Sequence, residues 1–314
     1  MTDRSATPLD YLVLDDPRRA FDDRGGGAGS RARRRLERAG WRTAIERDGL
    51  SIHLGPRSRL RAVQVHRAHF LIGRFIPAAG CALSALIGQS RSDLGLARAV
   101  VSHGWGRYVL VWRGEDGELR LLRDPSGALD CLWWPISGMT AAAGAPPPEG
   151  LGLDPAQAVR WSEVAAVAKA PGRAASSQLL TGYREAPPGF IVGPSLKTGE
   201  AVQVWRPADF VRRRCWDDDP EHLVSMLGDV VATLAEDHEI LLSELSGGLD
   251  SAVLAACLKA REDSDRARFV NFYDARAREG DERVYATACA AHLGLRLESR
   301  AKARGTIELA ALET

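Results

Sequence analysis

The sequence predicts two domains of different fold class, an α+β domain followed by an α/β domain. Up to about residue 210, short runs of β-forming residues alternate with Gly, Pro and Asp turns, which predicts an antiparallel layered domain. From about Asp219 the pattern changes to helix, strand, helix and strand, which is typical of a parallel sheet. A length of 314 residues agrees with two domains.

In the first domain, the strands are predicted from β-rich runs and the turns between them. Candidate strands lie at residues 11–14, 41–45, 50–54, 62–66, 69–72, 106–112, 118–123, 131–134, 187–192 and 201–207. Helices are predicted at residues 92–102 and near 155–167, and turns at residues 115–117 and 197–199. The basic run 31–35 is interpreted as a solvated loop or helix face, and the Gly, Ala and Pro-rich segment 136–150 as a loop.

The second domain reads as a parallel βαβαβ unit preceded by an amphipathic helix at residues 222–235. Its strands are predicted at residues 239–242, 267–273 and 293–298, and its crossover helices at residues 251–259 and 281–292.

Composition excludes several classes of protein. The 42 Lys and Arg residues balance 41 Asp and Glu residues, so the net charge of +1 gives no field for nucleic acid or an anionic membrane. The sequence has no apolar run of about 18 residues, and its N-terminus does not read as a secretory signal. The five cysteines have no CxxC spacing, so we expect reduced thiols in a cytoplasmic protein.

The candidate chemistry lies in a loop between the first strand and the first crossover helix of the second domain. Its residues are Ser246, Gly247, Gly248, Leu249, Asp250 and Ser251. Two glycines allow a sharp turn and a close approach of backbone N–H groups to a ligand. The positive end of the following helix faces the same space. With its two serine hydroxyls, the loop is suited to phosphate or pyrophosphate.

Asp250 adds a negative charge to this loop. A carboxylate beside phosphate is tolerated when a cation lies between them, so Asp250 is predicted to be a Mg²⁺ ligand. The loop is not a Walker A motif, because the GxxxxGK[ST] spacing and its lysine are absent. The alternative interpretation is an ordinary glycine-rich turn capped by Ser246.

The Ser-Gly-Gly-x-Asp-Ser pattern resembles the pyrophosphate loop of the ATP-pyrophosphatase superfamily. The flanking chain resembles the asparagine synthetase family, and the resemblance covers most of residues 60–298. The matching motifs are Arg123-Asp124-Pro125-x-Gly127, Pro187-Pro188-Gly189, Trp205-x-Pro207 and Ala291-His292-Leu293-Gly294. The resemblance implies a glutaminase-like, N-terminal-nucleophile-type antiparallel sandwich over residues 1–210. It also implies the first part of an ATP-pyrophosphatase (adenine nucleotide alpha-hydrolase-like) domain over residues 220–314.

The resemblance also implies cofactors and contacts. Members of the family adenylate a carboxylate with Mg-ATP, and an amine then attacks to form an amide, so ATP and Mg²⁺ are the expected cofactors. Leu245 before the loop and Asn271 on the next strand are expected to contact adenine. Asp281 and Glu282 lie where members place acidic residues near the nucleotide. The alternative is that both are acids at a helix N-terminus, where they complement the helix dipole.

The chain departs from the family at its N-terminus. Asparagine synthetases place a nucleophilic cysteine directly after the initiator methionine, whereas Thr2 occupies that position here and the first cysteine is Cys81. We therefore expect no glutamine hydrolysis. The same domain without the cysteine occurs in β-lactam synthetases and in lasso-peptide macrolactam synthetases, which use an amine within the substrate. Residues 279–286 look most like the lasso-peptide branch.

A second departure concerns length. The family's synthetase domain is far longer, and its later part supplies a second acidic metal ligand and a lysine-centred catalytic pair. Here Lys259 follows the loop in its helix, and Lys302 lies in a polar tail without a family motif. We therefore assign no catalytic residue, and we expect either a truncated product or a second chain that completes the domain.

Together these features predict a component of an ATP-dependent amide-forming ligase that adenylates a carboxylate and closes an amide within a peptide, as a macrolactam synthetase does. The expected partners are a carboxylate substrate, such as a precursor peptide, and the completing chain, with no nucleic acid and no membrane. Two alternatives stay open. One is a glutamine-hydrolysing asparagine synthase relative, and the other is a non-catalytic nucleotide- or peptide-binding pseudoenzyme or fragment.

Overall fold

The computed structural model describes residues 10–17, 28–148, 150–155, 158–193, 201–211, 220–261, 263–274 and 281–302. The chain divides into two compact units between Arg213 and Arg214, called unit 1 and unit 2 below. None of the helices in these ranges is both long and apolar enough to cross a membrane.

Unit 1 contains two antiparallel sheets. Their strands are β1 (Tyr11–Asp15), β2 (Arg42–Arg47), β3 (Leu50–Leu54), β4 (Ala62–His66), β5 (His69–Pro77), β6 (Gly104–Arg113), β7 (Leu119–Arg123), β8 (Leu132–Ile136), β9 (Met139–Ala143), β10 (Arg184–Glu185), β11 (Phe190–Val192) and β12 (Val202–Gln203). The first sheet has the order β10-β8-β9-β1-β3-β2, and the second has the order β12-β11-β7-β6-β5-β4. Neighbouring strands are antiparallel throughout the described parts of both sheets.

Helices accompany the two sheets in the described part of unit 1. They are α1 (Ala28–Arg38), α2 (Leu83–Gln89), α3 (Asp93–Ser102), α4 (Trp161–Lys169), a 3-10 helix (Pro171–Ser176) and the short α5 (Ala208–Val211). On β1, Tyr11 and Val13 pack in the core between the sheets, while Leu12 and Leu14 pack with residues of α1. Residues of α2 and α3 pack on the outer face of the second sheet. The central strands are buried on both faces, which explains their continuous apolar runs.

Arg123 ties the end of β7 to neighbouring segments of unit 1. Its Nε donates to the Leu129 carbonyl oxygen (2.9 Å), and its Nη1 and Nη2 donate to four further oxygens. These belong to Glu185 (2.8 Å), Ala186 (3.0 Å), Gly127 (3.0 Å) and Asp130 (2.6 Å). All five N–H donors of a guanidinium are therefore satisfied. The Arg-Asp-Pro-x-Gly motif thus has a structural role in this chain.

Some elements of unit 1 differ from the sequence prediction. Segment 136–150 was predicted as a loop, but it contains β9, which lies between β8 and β1 and places the fully buried Ala141, Ala142 and Ala143 in the sheet. Pairing on both sides overrides the weak β-propensity of alanine. The basic run 31–35 lies on α1, and Arg31, Arg34 and Arg35 are exposed there, which agrees with the predicted solvated helix face. Helix α2 was not predicted, because its 7 residues are too few to give a clear helical periodicity. The predicted turn at 197–199 lies outside the described residues.

Unit 2 contains a parallel sheet. Its elements are α6 (Pro220–Ala235), β13 (Leu241–Glu244), α7 (Leu249–Ala260), a 3-10 helix (Asp263–Arg266), β14 (Ala267–Tyr273), α8 (Arg283–Leu293) and β15 (Leu297–Ala301). The strands pair in parallel in the order β13-β14-β15. The predicted change from antiparallel sheets to a parallel sheet is therefore confirmed.

The boundaries within unit 2 shift by a few residues from the prediction. The strand predicted at 239–242 is β13, which begins at Leu241. The strand predicted from residue 293 is β15, which begins at Leu297 because α8 continues to Leu293 and ends at Gly294. Gly294 has a left-handed φ of 65°, the conformation in which many helices terminate. Phe269 of β14 packs in the core of unit 2 with residues of α6, α7 and α8.

Candidate functional site

The candidate site lies at the carboxyl edge of the parallel sheet in unit 2. Strand β13 ends at Glu244, and α7 begins at Leu249 after the glycine turn. Ligands of parallel α/β sheets bind beyond the carboxyl ends of the strands, so a ligand is expected at this edge. The ends of β14 and β15 lie along the same edge, because the three strands are parallel.

Gly247 makes the sharp turn in the loop. Its φ of 106° lies in a region that L side chains rarely adopt. A Cβ atom at this position would lie 2.8 Å from the Glu282 carbonyl oxygen and 3.1 Å from the Cβ atom of Tyr285. The loop therefore packs directly against the start of α8, and both the backbone angle and this contact require glycine.

The two serines hold the loop together. The Ser251 hydroxyl donates to the Gly248 carbonyl oxygen (3.0 Å) and accepts from the Ser246 N–H (3.2 Å). The Ser246 hydroxyl accepts from the Gly248 N–H (3.3 Å) and lies 3.1 Å from the Ser251 hydroxyl oxygen. The Ser251 hydroxyl donates inside the loop in this structure, so it has to turn before it can donate to a phosphate.

The N-terminus of α7 presents backbone donors beside an acidic side chain. Gly248 is the N-cap residue, and no side chain caps this end of the helix. The first amides of a helix have no intrahelical partner, so the N–H groups of Leu249 and Asp250 are available to an anion. Asp250 is exposed, and its carboxylate has no hydrogen-bond or ion-pair partner within the described part of the chain.

The two residues predicted to contact adenine are both buried. Leu245 is 0% exposed and packs in the core of unit 2. Asn271 on β14 is 2% exposed, and its Nδ2 donates to the carbonyl oxygens of Leu245 (2.9 Å) and Ser246 (3.3 Å). The structure therefore brings Asn271 to the loop, where its amide group binds the loop backbone.

Arg283 is a charged residue near the loop to which the sequence analysis assigned no role. Its Nε and Nη2 donate to the Asp281 carboxylate (2.9 and 2.6 Å), and its guanidinium lies 3.8 Å from the centroid of the Tyr273 ring. The hydrogen bonds from Arg283 lower the pKa of Asp281 below its ordinary value. Asp281 is thus an ionised acid paired at the start of α8, while Glu282 is exposed. The spacing of Asp281 and Arg283, two positions apart, is the feature of the sequence that could have indicated this ion pair.

The two lysines that follow the loop in the sequence lie in different places. Lys259 is in the last turn of α7, about 15 Å along the helix from Leu249. Lys302 follows β15, and its backbone N–H donates to the Tyr273 carbonyl oxygen (2.8 Å). This bond places the exposed Lys302 at the carboxyl edge of the sheet, the same edge as the loop.

Metal ligands do not cluster in the ranges that the structure describes: no group of three or more His, Cys, Asp or Glu side chains there could hold a metal ion. A Mg²⁺ ion beside Asp250 would therefore need oxygen ligands from the nucleotide itself, which is the usual arrangement for Mg²⁺ bound with phosphates.

Tyr11 and Cys131 are buried together in the core of unit 1. Strand β1 begins at Tyr11, which is fully buried and donates its hydroxyl to the Asp130 carbonyl oxygen (2.6 Å). Cys131 is also fully buried, and burial raises the pKa of its thiol to about 11, so it is protonated and unreactive at neutral pH. Thr2 lies outside the described residues.

Comparison with known proteins connects the loop to a family. Residues 222–308 match the family model of asparagine synthase. This match supports the asparagine synthetase family, whose members are ATP-dependent amide-forming ligases, for a segment that includes the loop and covers less than half of the chain. A search of the curated proteins finds no match.

Two solved structures are distantly similar to the whole chain. One is the allosteric regulatory enzyme of purine biosynthesis, with 11% identity, a TM-score of 0.31, and coverage of 94% of this chain and 75% of that one. The other is glutamine phosphoribosylpyrophosphate amidotransferase from B. subtilis complexed with ADP and GMP. It has 11% identity, a TM-score of 0.33, and coverage of 93% and 81%. Likenesses this distant establish no activity.

Proposed function

We propose that this chain is the nucleotide-binding component of an ATP-dependent amide-forming ligase that adenylates a carboxylate. The observation on which the proposal rests is the glycine loop between β13 and α7, within a segment that matches the asparagine synthase family. Its free helix-terminal amides and the exposed Asp250 carboxylate suit a Mg²⁺-bound pyrophosphate group. The substrate carboxylate attacks the α-phosphorus of ATP, pyrophosphate leaves, and an amine then displaces AMP to form the amide.

We further propose that unit 1 is a glutaminase-like domain without its nucleophile, so the amine comes from the substrate itself. Tyr11 fills the start of the first strand, and Cys131 is a buried, protonated thiol. A peptide that carries both the carboxylate and the amine fits this proposal, and the reaction would then be macrolactam formation. A glutamine-hydrolysing asparagine synthase relative is the less favoured alternative, because Thr2 stands where the family has cysteine.

A nucleotide-binding protein without catalysis is the second candidate. Lys259 lies at the far end of α7, so Lys302 is the lysine of unit 2 that lies at the same edge of the sheet as the loop. A single exposed lysine supplies fewer cationic contacts than an adenylation transition state is expected to use. Release of AMP from Mg-ATP, measured with peptides that carry free carboxylates, separates the candidates. Substrate-dependent AMP formation that is lost in Lys302→Ala would establish the enzyme.

The binding proposal is tested by calorimetry of the full chain with ATP and with pyrophosphate, each with and without Mg²⁺. We expect binding that Mg²⁺ strengthens, and we expect Asp250→Asn to remove about tenfold of the Mg²⁺-dependent affinity, or ~1.4 kcal/mol. Asp265→Asn is the matched control, because this exposed acid lies beyond the opposite end of α7. Wild-type protein that binds neither compound, or an Asp250→Asn variant that binds more tightly with Mg²⁺, would refute the proposal.

A further inference from the structure

Asn271 is a buried polar residue on the central strand of the parallel sheet. It is 2% exposed, and asparagine is disfavoured within β-strands, where an apolar residue would pack at lower cost. Both of its amide hydrogens have acceptors, the carbonyl oxygens of Leu245 (2.9 Å) and Ser246 (3.3 Å). Because two acceptors face the amide group, it must present its NH₂ side to them.

These two carbonyl groups lie where the ladder between β13 and β14 ends. The last bond of the regular ladder is donated by the Leu245 N–H to the Val270 carbonyl oxygen (2.9 Å). Beyond this point the chain leaves the sheet towards Gly247, and the Asn271 side chain replaces the backbone as the hydrogen-bond partner of the departing strand. The side chain of Asn271 on β14 therefore fixes the position of Ser246.

Ser246 in turn determines the shape of the loop. Its N–H and its hydroxyl both bond to Ser251 on α7, and its hydroxyl also accepts from the Gly248 N–H. A displacement of Ser246 would disturb each of these bonds, and with them the approach of α7 to the loop. Asn271 thus acts on the loop through one residue.

The remaining polar atom of Asn271 is not available to a ligand. Its Oδ1 is buried without a hydrogen-bond partner in the described part of the chain. Such an atom costs free energy, and the two hydrogen bonds that the NH₂ group donates offset part of this cost. The side chain therefore faces the loop backbone with its donors and offers no accessible atom to a base.

We infer that Asn271 is a positioning residue that fixes Ser246, and thereby the anion-binding loop, and that its side chain does not recognise adenine. This inference rests on the proposed function of the loop. A residue that recognised adenine would affect ATP alone. A residue that positions the loop must affect ATP and pyrophosphate by the same factor, since both depend on the same backbone amides.

The test measures the affinity of the full chain for Mg-ATP and for Mg-pyrophosphate. The variants are Asn271→Leu, which has similar volume and no donor, and Asn271→Ser, which keeps one donor and less often prevents folding. We expect Asn271→Leu to weaken both ligands by the same factor, about 10- to 100-fold, with a smaller equal loss for Asn271→Ser. Ser243→Ala is the matched control, because this buried hydroxyl on β13 has no partner in the described residues and its removal should change neither affinity.

Hydrogen–deuterium exchange of the unliganded protein gives a reading that does not depend on nucleotide. We expect faster exchange of the amides at residues 246–252 in the Asn271 variants, with unchanged exchange in α6. Loss of ATP affinity alone, or unchanged loop exchange with unchanged affinity for both ligands, would overturn the inference and leave the proposed function standing. Wild-type protein that binds neither ligand would refute the proposed function, and the inference with it.

Discussion

Replacement of Gly247 by alanine tests whether the loop owes its shape to its contact with α8. The backbone here has φ of 106°, and holding a non-glycine residue in such a conformation costs about 1–3 kcal/mol. The new Cβ would also lie 2.8 Å from the Glu282 carbonyl oxygen, so the start of α8 must move, and overpacking of this kind costs about 1–3 kcal/mol. We expect Gly247→Ala to destabilise unit 2 by roughly 2–6 kcal/mol.

Gly248→Ala is the matched control in the same loop. Gly248 has φ of −80°, and a Cβ there would meet the Ser246 hydroxyl oxygen at an ordinary 3.5 Å. Alanine restricts the unfolded chain, which stabilises the fold, but it is a poorer N-cap residue than glycine, which destabilises α7. The two effects oppose each other, so this variant should change the stability by no more than about 1 kcal/mol.

The two glycine variants are compared by urea unfolding of the full chain, followed by far-UV circular dichroism. Hydrogen exchange at residues 283–293 reports separately on the start of α8. Equal unfolding midpoints for the two variants, with equal protection of α8, would show that the contact between Gly247 and α8 does not constrain the loop.

Three further predictions concern unit 1. Burial raises the pKa of Asp15 to about 6, despite its ion pair with Arg113. Protonated Asp15 therefore contributes ~3 kcal/mol to the stability of the fold below about pH 4. This contribution is lost as the pH rises to about 6. Urea unfolding should therefore show wild type losing stability relative to Asp15→Asn between pH 4 and 7, and a constant difference would contradict the pKa. Arg123→Lys leaves several of its five acceptors without donors, among them the buried carbonyl oxygens of Leu129 and Ala186, and should cost about 2–5 kcal/mol. The exposed Arg107→Lys should change little, and equal unfolding midpoints would disprove the structural role of Arg123. Purified protein should release no glutamate from glutamine in a coupled assay, and turnover that Thr2→Ala abolishes would show a nucleophile that we dismissed.

The parts of the fold that sequence predicts well are those whose signal is local. Strand β14 (Ala267–Tyr273) has the predicted bounds, because a β-rich run ends at both sides in polar residues. Strand β9 was missed, because its alanines become a strand only through pairing with β1 and β8, which are distant in sequence or joined by a tight turn. Pairing partners are a tertiary property, and single-sequence patterns contain no record of them.

The motif predicts where the candidate site lies, whereas the contacts among its residues are seen only in the structure. A glycine-rich turn after a buried strand and before a helix is a local pattern, so the position of the loop follows from sequence. The bond from Asn271 to Ser246 joins residues 25 apart, and the contact of Gly247 with Glu282 joins residues still further apart. The sequence shows these residue types, whereas only the fold shows which atoms they meet.

Apart from Gly248, the residues of the loop divide into those that shape it and those that face outwards. Ser246, Gly247 and Ser251 bond or pack within unit 2, whereas Leu249 (78% exposed) and Asp250 are exposed. The sequence predicts that all six residues bind the ligand, because a motif alone does not distinguish residues that contact a ligand from residues that hold the loop in shape. Substitutions in the first group should therefore change loop order and affinity together, while substitutions of the exposed pair should change affinity in a loop that keeps its order. A protein that has the same motif but lacks the contacts of the loop with β14 and α8 is not expected to bind phosphate.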